Sequence, residues 1–152
     1  MKAVVIPRHG GEDVLAIADL PQPRPGPGEV LVQVKAAGVN YLDTWVRRGL
    51  PGITLPLPMI PGSDAAGLVA EIGAAVTGVQ AGDRVFISPG YSCERCVECY
   101  SGREPLCRDY GLFGEHRNGT QAEYIALRAS HVIRLPDHLS FGEGAAFPLV
   151  FL

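Results

Sequence analysis

Hydrophobic and polar positions alternate most cleanly in "EVLVQVKAAG", residues 29 to 38, where Val30, Val32, Val34 and Ala36 fall on one side and Leu31, Gln33 and Lys35 on the other. A period of two is the mark of a strand with one buried face. Shorter apolar runs bounded by Gly, Pro or Asp occur at 2–6, 67–72, 84–87, 122–127 and 131–135. Six short strands separated by turns predict a small barrel or sandwich.

Two segments carry helical signals instead. In "YLDTWVRR", residues 41 to 48, Asn40 stands at the N-cap, Asp43 in the first turn, Arg47 and Arg48 in the last, and Gly49 just beyond. That charge order complements the helix dipole. Leu42, Trp45 and Val46, at i, i+3 and i+4, form the stripe expected to pack the helix onto the barrel. Near the end, Ser140 and Glu143 have capping-box spacing, although Gly142, Gly144 and Pro148 work against a long helix. The chain then stops inside the apolar run "FPLVFL", 147–152, which predicts a piece of a longer polypeptide or a segment that docks on a partner.

Composition supports the strand reading. The chain has 152 residues, about one domain, and its 47% apolar content with 19 Gly and 13 Pro is too hydrophobic for disorder and too punctuated for a helical bundle. A net charge of −3 offers no basic field to a phosphate backbone, so nucleic acid is not an expected partner. No apolar stretch approaches the roughly 20 residues needed to span a bilayer. The start, "MKAVVIPRHGG", lacks the apolar core of a secretory signal, so a cytoplasmic, soluble protein without membrane partners is expected.

All four cysteines lie in "YSCERCVECYSGREPLC", 91 to 107, with the spacing C-x2-C-x2-C-x7-C at Cys93, Cys96, Cys99 and Cys107. Disulfide pairing is the alternative in an oxidising compartment; in a reducing one, metal ligation is the better reading. Four thiolates at about 2.3 Å close a tetrahedron around Zn²⁺ and leave no open position, which makes the site structural. The loop has few aliphatic side chains, so the ion would supply its folding energy. Loading it adds two negative charges to the chain, and Arg95, Arg103 and Arg108 stand nearby to offset them. An iron–sulfur cluster is the runner-up, because the first three cysteines keep a ferredoxin rhythm that the fourth breaks. His9, His116, His131 and His138 do not cluster with cysteines or acids at ligand spacing and read as structural or surface residues.

With these residues in view, the sequence resembles the medium-chain dehydrogenase/reductases, that is, the zinc-containing alcohol dehydrogenases and their quinone reductase relatives. The cysteine spacing matches their structural-zinc lobe, and so do "PGPGEVLVQVKAAGVNYLD" (25–43), "PMIPGSDAAGLVAEIGAAVTGVQAGDRV" (58–85), "NGTQAEYIAL" (118–127) and "LSFGEGAAFPLVFL" (139–152). The resemblance implies a mostly β, GroES-like barrel domain over residues 1–127 with a zinc lobe at 91–110. Residues 128–152 would then begin the connection to a nucleotide-binding Rossmann domain. It also implies NAD(P)H as the cofactor of the full-length parent and a small carbonyl, enone or quinone as substrate, and it leaves homo-oligomerisation open.

The departures from the family pattern set a further expectation. Where zinc alcohol dehydrogenases carry a catalytic-zinc cysteine, this chain has Asn40; where they carry a histidine followed by an acid, it has Ser63 and Asp64; the third ligand would fall near Leu149. A catalytic zinc needs about three protein ligands and one open position, and this set cannot supply them, so no catalytic metal is expected. The reading moves to the metal-free branch, with Asn40 bonding the substrate carbonyl, Tyr41 orienting or protonating it, and Asp43 anchoring the helix that carries both. Helix capping is the competing role for Asn40 and Asp43, and packing for Tyr41. A zinc alcohol dehydrogenase domain and a non-enzymatic zinc-stabilised binding module remain the alternatives. The pyrophosphate fingerprint G-x-G-x-x-G is absent from these residues, so the chain alone is expected neither to bind nicotinamide tightly nor to turn over.

Overall fold

A computed structural model describes residues 1–52 and 54–151. In chain order its strands are β1 (Lys2–Val5), β2 (Ala16–Asp19), β3 (Glu29–Ala37), β4 (Ala65–Ile72), β5 (Arg84–Ile87), β6 (Gly90–Tyr91), β7 (Gly111–Leu112), β8 (Tyr124–Arg128) and β9 (Val132–Arg134), with helices α1 (Tyr41–Arg48), α2 (Val97–Tyr100) and α3 (Phe141–Gly144). Five strands form one antiparallel sheet in the order β8-β3-β4-β5-β9, while β1 pairs with β2 and β6 with β7. Isolated bridges from Ala3 to Ala122 and from Ile6 to Met59 close the β1–β2 ribbon onto the sheet, so the sheet curls into a half-barrel.

The strand with the cleanest alternation is the one flanked on both sides, by β4 and β8. Its first half departs from strict alternation because Val30, Leu31 and Val32 are all buried. Two irregularities in the β3–β4 register, at Leu31/Val32 and Val34/Ala36, bend the strand so that its outer face is covered as well. Val30, Val32, Val69, Val85, Ile87, Phe113, Ile125 and Leu127 fill the interior. All six sequence-predicted strands are present within a few residues of their expected limits. The strands β2, β6 and β7 lack an apolar pattern of their own and exist through pairing with their neighbours.

Helix α1 forms where its caps predict, and Val46 and Leu42 pack on Ile6, Leu55 and Met59 as the expected stripe requires. Trp45 does not: it is 46% exposed, its ring edge-on to Tyr41, while Asp43 and Arg47 are buried. The expected Leu42–Trp45–Val46 stripe is therefore corrected at Trp45. Hydrogen bonding to Asp43 rotates the helix, because a buried carboxylate with two backbone donors outweighs an exposed indole with none. The second helical signal yields only the single turn α3, with the expected capping box: Ser140 N–H donates to Glu143 Oε2 at 2.8 Å, and Glu143 N–H donates to Ser140 Oγ at 3.2 Å. In the apolar run that follows, Val150 and Phe151 are exposed, and Leu152 lies outside the described residues. Among the described residues no helix is long and apolar enough to cross a membrane.

Candidate functional site

The four thiols converge. Cys93, Cys96, Cys99 and Cys107 come from the loop after β6, the start and body of α2 and the 3-10 turn that follows, and their sulfurs all lie within 4.8 Å of one another. No disulfide joins them. Between residues 92 and 110 Cys107 is the one buried side chain, so the loop has no apolar core of its own. Backbone N–H groups of Cys93 and Asp109 point at the Cys107 sulfur at 3.5 and 3.4 Å, but desolvation and the neighbouring Cys93 and Cys99 sulfurs push that thiol up to about 11. The Ser92 hydroxyl, 3.3 Å from the Cys99 sulfur, is the main cause of a thiol pKa drawn down to about 6. This donor set fits a tetrahedral thiophilic ion. Of the three arginines expected to balance its charge, Arg103 pairs with Glu98 at 2.8 Å instead. The lobe is fastened to the sheet by Glu94, whose carboxylate accepts from Arg128 and Ser130.

The second constellation gathers around Asn40. Its backbone N–H donates to Asp43 Oδ2 at 2.7 Å, which is capping, and its side-chain Nδ2 donates to Asp64 Oδ2 at 2.8 Å. Asp43 Oδ1 accepts from Gly62 N–H at 3.1 Å, so the helix start is bolted to the loop before β4. Asp64 Oδ1 accepts from the Leu149 N–H at 2.8 Å, and Ser63 Oγ donates to the Phe113 carbonyl at 2.8 Å. Sequence reasoning weighed Asp64 only as a failed metal ligand; the contact with Leu149, 85 positions away, has no signal in a linear pattern. Tyr41 is 70% exposed and holds no core position.

The positions that would carry a catalytic zinc do not fit one. Asp64 is the single strong ligand among them, and both of its oxygens are already engaged. Among the described residues the four cysteines are the one His/Cys/Asp/Glu group close enough to hold an ion. None of the four histidines joins either constellation: His131 packs edge-on to Phe113, His9 lies against the Val46 carbonyl, His116 accepts from Leu112 N–H, and His138 is exposed. A cavity of about 950 Å³ between the lobe and β8, lined by Tyr91, Arg95, Arg117 and Tyr124 among others, does not include Asn40, Asp43 or Asp64.

Burial raises the carboxyl pKa of Asp43 above the ordinary aspartate range against its two backbone hydrogen bonds, and the nearby charge of Asp64 adds to the rise. Burial raises Asp64 too. A carboxyl with a higher pKa in the folded chain binds more protons folded than unfolded, so its contribution is greatest in acid. It is lost as pH rises from the unfolded value, about 3.9, through the folded one. Asp43→Asn is therefore expected to make the urea midpoint fall less between pH 4 and pH 7 than it does in the parent chain. An unchanged slope would show that Asp43 ionises freely.

The comparisons with known proteins agree with this architecture. Residues 26–137 match the family described as the alcohol dehydrogenase GroES-like domain. An alcohol dehydrogenase of Geobacillus stearothermophilus is 38% identical over 146 residues, covering 95% of this chain and 43% of that protein. An L-threonine 3-dehydrogenase of Rhizobium etli (strain CIAT 652) is 34% identical, covering 97% of this chain and 43% of that protein. Among solved structures, an NAD-dependent alcohol dehydrogenase superposes with a TM-score of 0.96 at 50% identity, over all of this chain and 44% of that one. A cobalt- and zinc-bound thermostable alcohol dehydrogenase of Pyrobaculum aerophilum gives 0.87 at 37% identity, over 97% and 44%. The chain thus spans a little under half the length of these relatives. It is a member of the alcohol dehydrogenase GroES-like domain family, the amino-terminal domain of the medium-chain dehydrogenase/reductases.

Proposed function

We propose that this chain is the substrate-side domain of a nicotinamide-dependent oxidoreductase that works without a catalytic metal on a small enone, quinone or carbonyl compound, and that its cysteine lobe holds one structural zinc. The observation that carries the metal-free reading is that Asp64 spends both carboxylate oxygens on Asn40 and Leu149, while the Ser63 hydroxyl is given to the Phe113 carbonyl, so the groups a catalytic ion would need are engaged elsewhere. A nicotinamide, when bound, exchanges a hydride with the substrate. An enone or quinone spreads the charge that develops over its own conjugated system, so a Lewis acid is not required.

The residues of this chain then bind and orient. The Asp64 carboxylate only accepts, so the NH₂ end of Asn40 turns toward it, and the second N–H of that amide is the group offered to substrate. Tyr41, 70% exposed, is the orienting group or proton donor in this reading, and Asp43 holds the helix start that carries both. The exposed apolar side chains Val39, Tyr41, Trp45, Val150 and Phe151 belong to the turn before α1, to α1 and to the last segment; Asn40 at the start of α1 and Leu149 in the last segment both bond Asp64. These side chains suit cover by a nucleotide-binding domain, with the division near residues 127 and 128, or by a second copy. The cytoplasm keeps the four thiols reduced for the ion.

Alcohol oxidation at a catalytic zinc is the second reading; that alcohol dehydrogenases stand among the relatives favours its alcohol substrate. Metal analysis of the full-length parent separates the two: about one zinc per chain supports the proposal, and about two overturns it. In that parent, Asn40→Ala is expected to lower kcat/KM for enones about 10²-fold, the cost of losing one preorganised donor, in a screen of enones, quinones and alcohols with NADH and NADPH. Unchanged kcat/KM would remove Asn40 from the site.

A further inference from the structure

We infer that Asp64 is a positioning residue that sets the orientation of Asn40 and links it to the backbone of the last segment, residues 145–151. Its side chain is 1% exposed, and each oxygen has a different client: Oδ2 takes the Asn40 side-chain amide and Oδ1 takes the Leu149 N–H, both at 2.8 Å. Its backbone is fixed independently, because its carbonyl accepts from Thr120 Oγ1 and from Gly38 N–H, each at 2.9 Å. The carboxylate is therefore a fork between two segments that also approach each other directly at Gly38 and Ala145. Gly38 keeps the gap narrow: a Cβ there would stand 3.0 Å from the Asp64 Cβ and 2.5 Å from the Ala145 carbonyl oxygen. A shift of the last segment pulls on one tine of the fork and turns the amide held by the other. The functional consequence rests on the proposal that Asn40 faces substrate; the geometric link does not.

The test begins on the unaltered 152-residue chain. Scalar couplings across the hydrogen bonds from Leu149 N and from Asn40 Nδ2 to the Asp64 carboxyl carbon are expected in NMR spectra, and their absence overturns the link whether or not any variant folds. Asp64→Asn replaces one acceptor with a donor, so at least one client loses its partner. Leu149 amide exchange is expected to quicken about tenfold or more, and the Asn40 side-chain resonances to move, while Val32 and Val69 in the sheet keep their protection. Leu149 exchange within twofold of the parent, with Asn40 unmoved, overturns the proposal. In the full-length parent, Asp64→Asn is expected to lower kcat/KM about tenfold alone and to add nothing to Asn40→Ala. Additive losses in that cycle overturn positioning through Asn40. An Asn40→Ala variant with full activity instead defeats the proposed function and leaves the measured link intact.

Discussion

Cys96→Ser is expected to release the metal and unfold residues 91–110 while leaving the sheet in place. Metal analysis of protein prepared without chelator is expected to give about one zinc per parent chain and a small fraction of that in the variant. The size of the effect follows from the lobe's poverty. The sequence from Val97 to Leu106 forms α2 and a 3-10 turn with no buried side chain, and Val97, Tyr100 and Leu106 are all exposed. A structural zinc contributes on the order of 10 kcal/mol of apparent free energy to such a unit, far more than those contacts supply. Hydrogen exchange is expected to show amides in 91–110 opening to solvent, with Val32 and Val69 unchanged because their pairing does not pass through the lobe. The Glu94 contacts to Arg128 and Ser130 would then be lost as well. Metal-free parent protein with the loop still protected would refute the assignment.

Gly119→Ala carries the second large expected effect, and it reaches the site through backbone alone. A Cβ at Gly119 would overlap the Gly62 carbonyl oxygen and lie 2.6 Å from both the Pro61 oxygen and Gly114 Cα. All three are main-chain atoms with no rotamer in which to retreat. Relief requires the 118–121 segment to part from the 60–62 segment, and with it the bonds Gly119 N to Ile60 O at 2.7 Å, Thr120 N to Gly62 O at 2.9 Å and Gln121 N to Pro61 O at 3.0 Å. Overpacking of about 1–3 kcal/mol and about 1 kcal/mol for each bond lost sum to roughly 4 kcal/mol or more, a large share of the stability of a domain this size. The moved segment carries Thr120, which holds the Asp64 carbonyl. A urea midpoint within the error of the parent's would show that the two segments are not in the contact described.

Much of the fold was legible because its cause is local. Val32, Val34 and Ala36 alternate with Gln33 and Lys35 and lie in β3; Asn40, Asp43 and Gly49 mark the ends of α1; Ser140 and Glu143 form their capping box. The thiol cluster was equally legible, because three cysteines two residues apart on one short turn cannot lie far from one another. The edge of the buried face of α1 was not. Helical spacing allowed Trp45 as well as Asp43 and Arg47 beside Leu42 and Val46, and only the backbone donors of Asn40 and Gly62, the second supplied by a distant loop, drew Asp43 inward.

The sequence by itself determined six of the nine strands, the caps and the gathering of the cysteines, since each depends on residues a few positions apart. The tertiary structure alone decided that Asp64 would stand between Asn40 and Leu149 as an acceptor for both. The reason is physical: a buried carboxylate must find donors wherever folding brings them, and these came from residues 24 and 85 positions away.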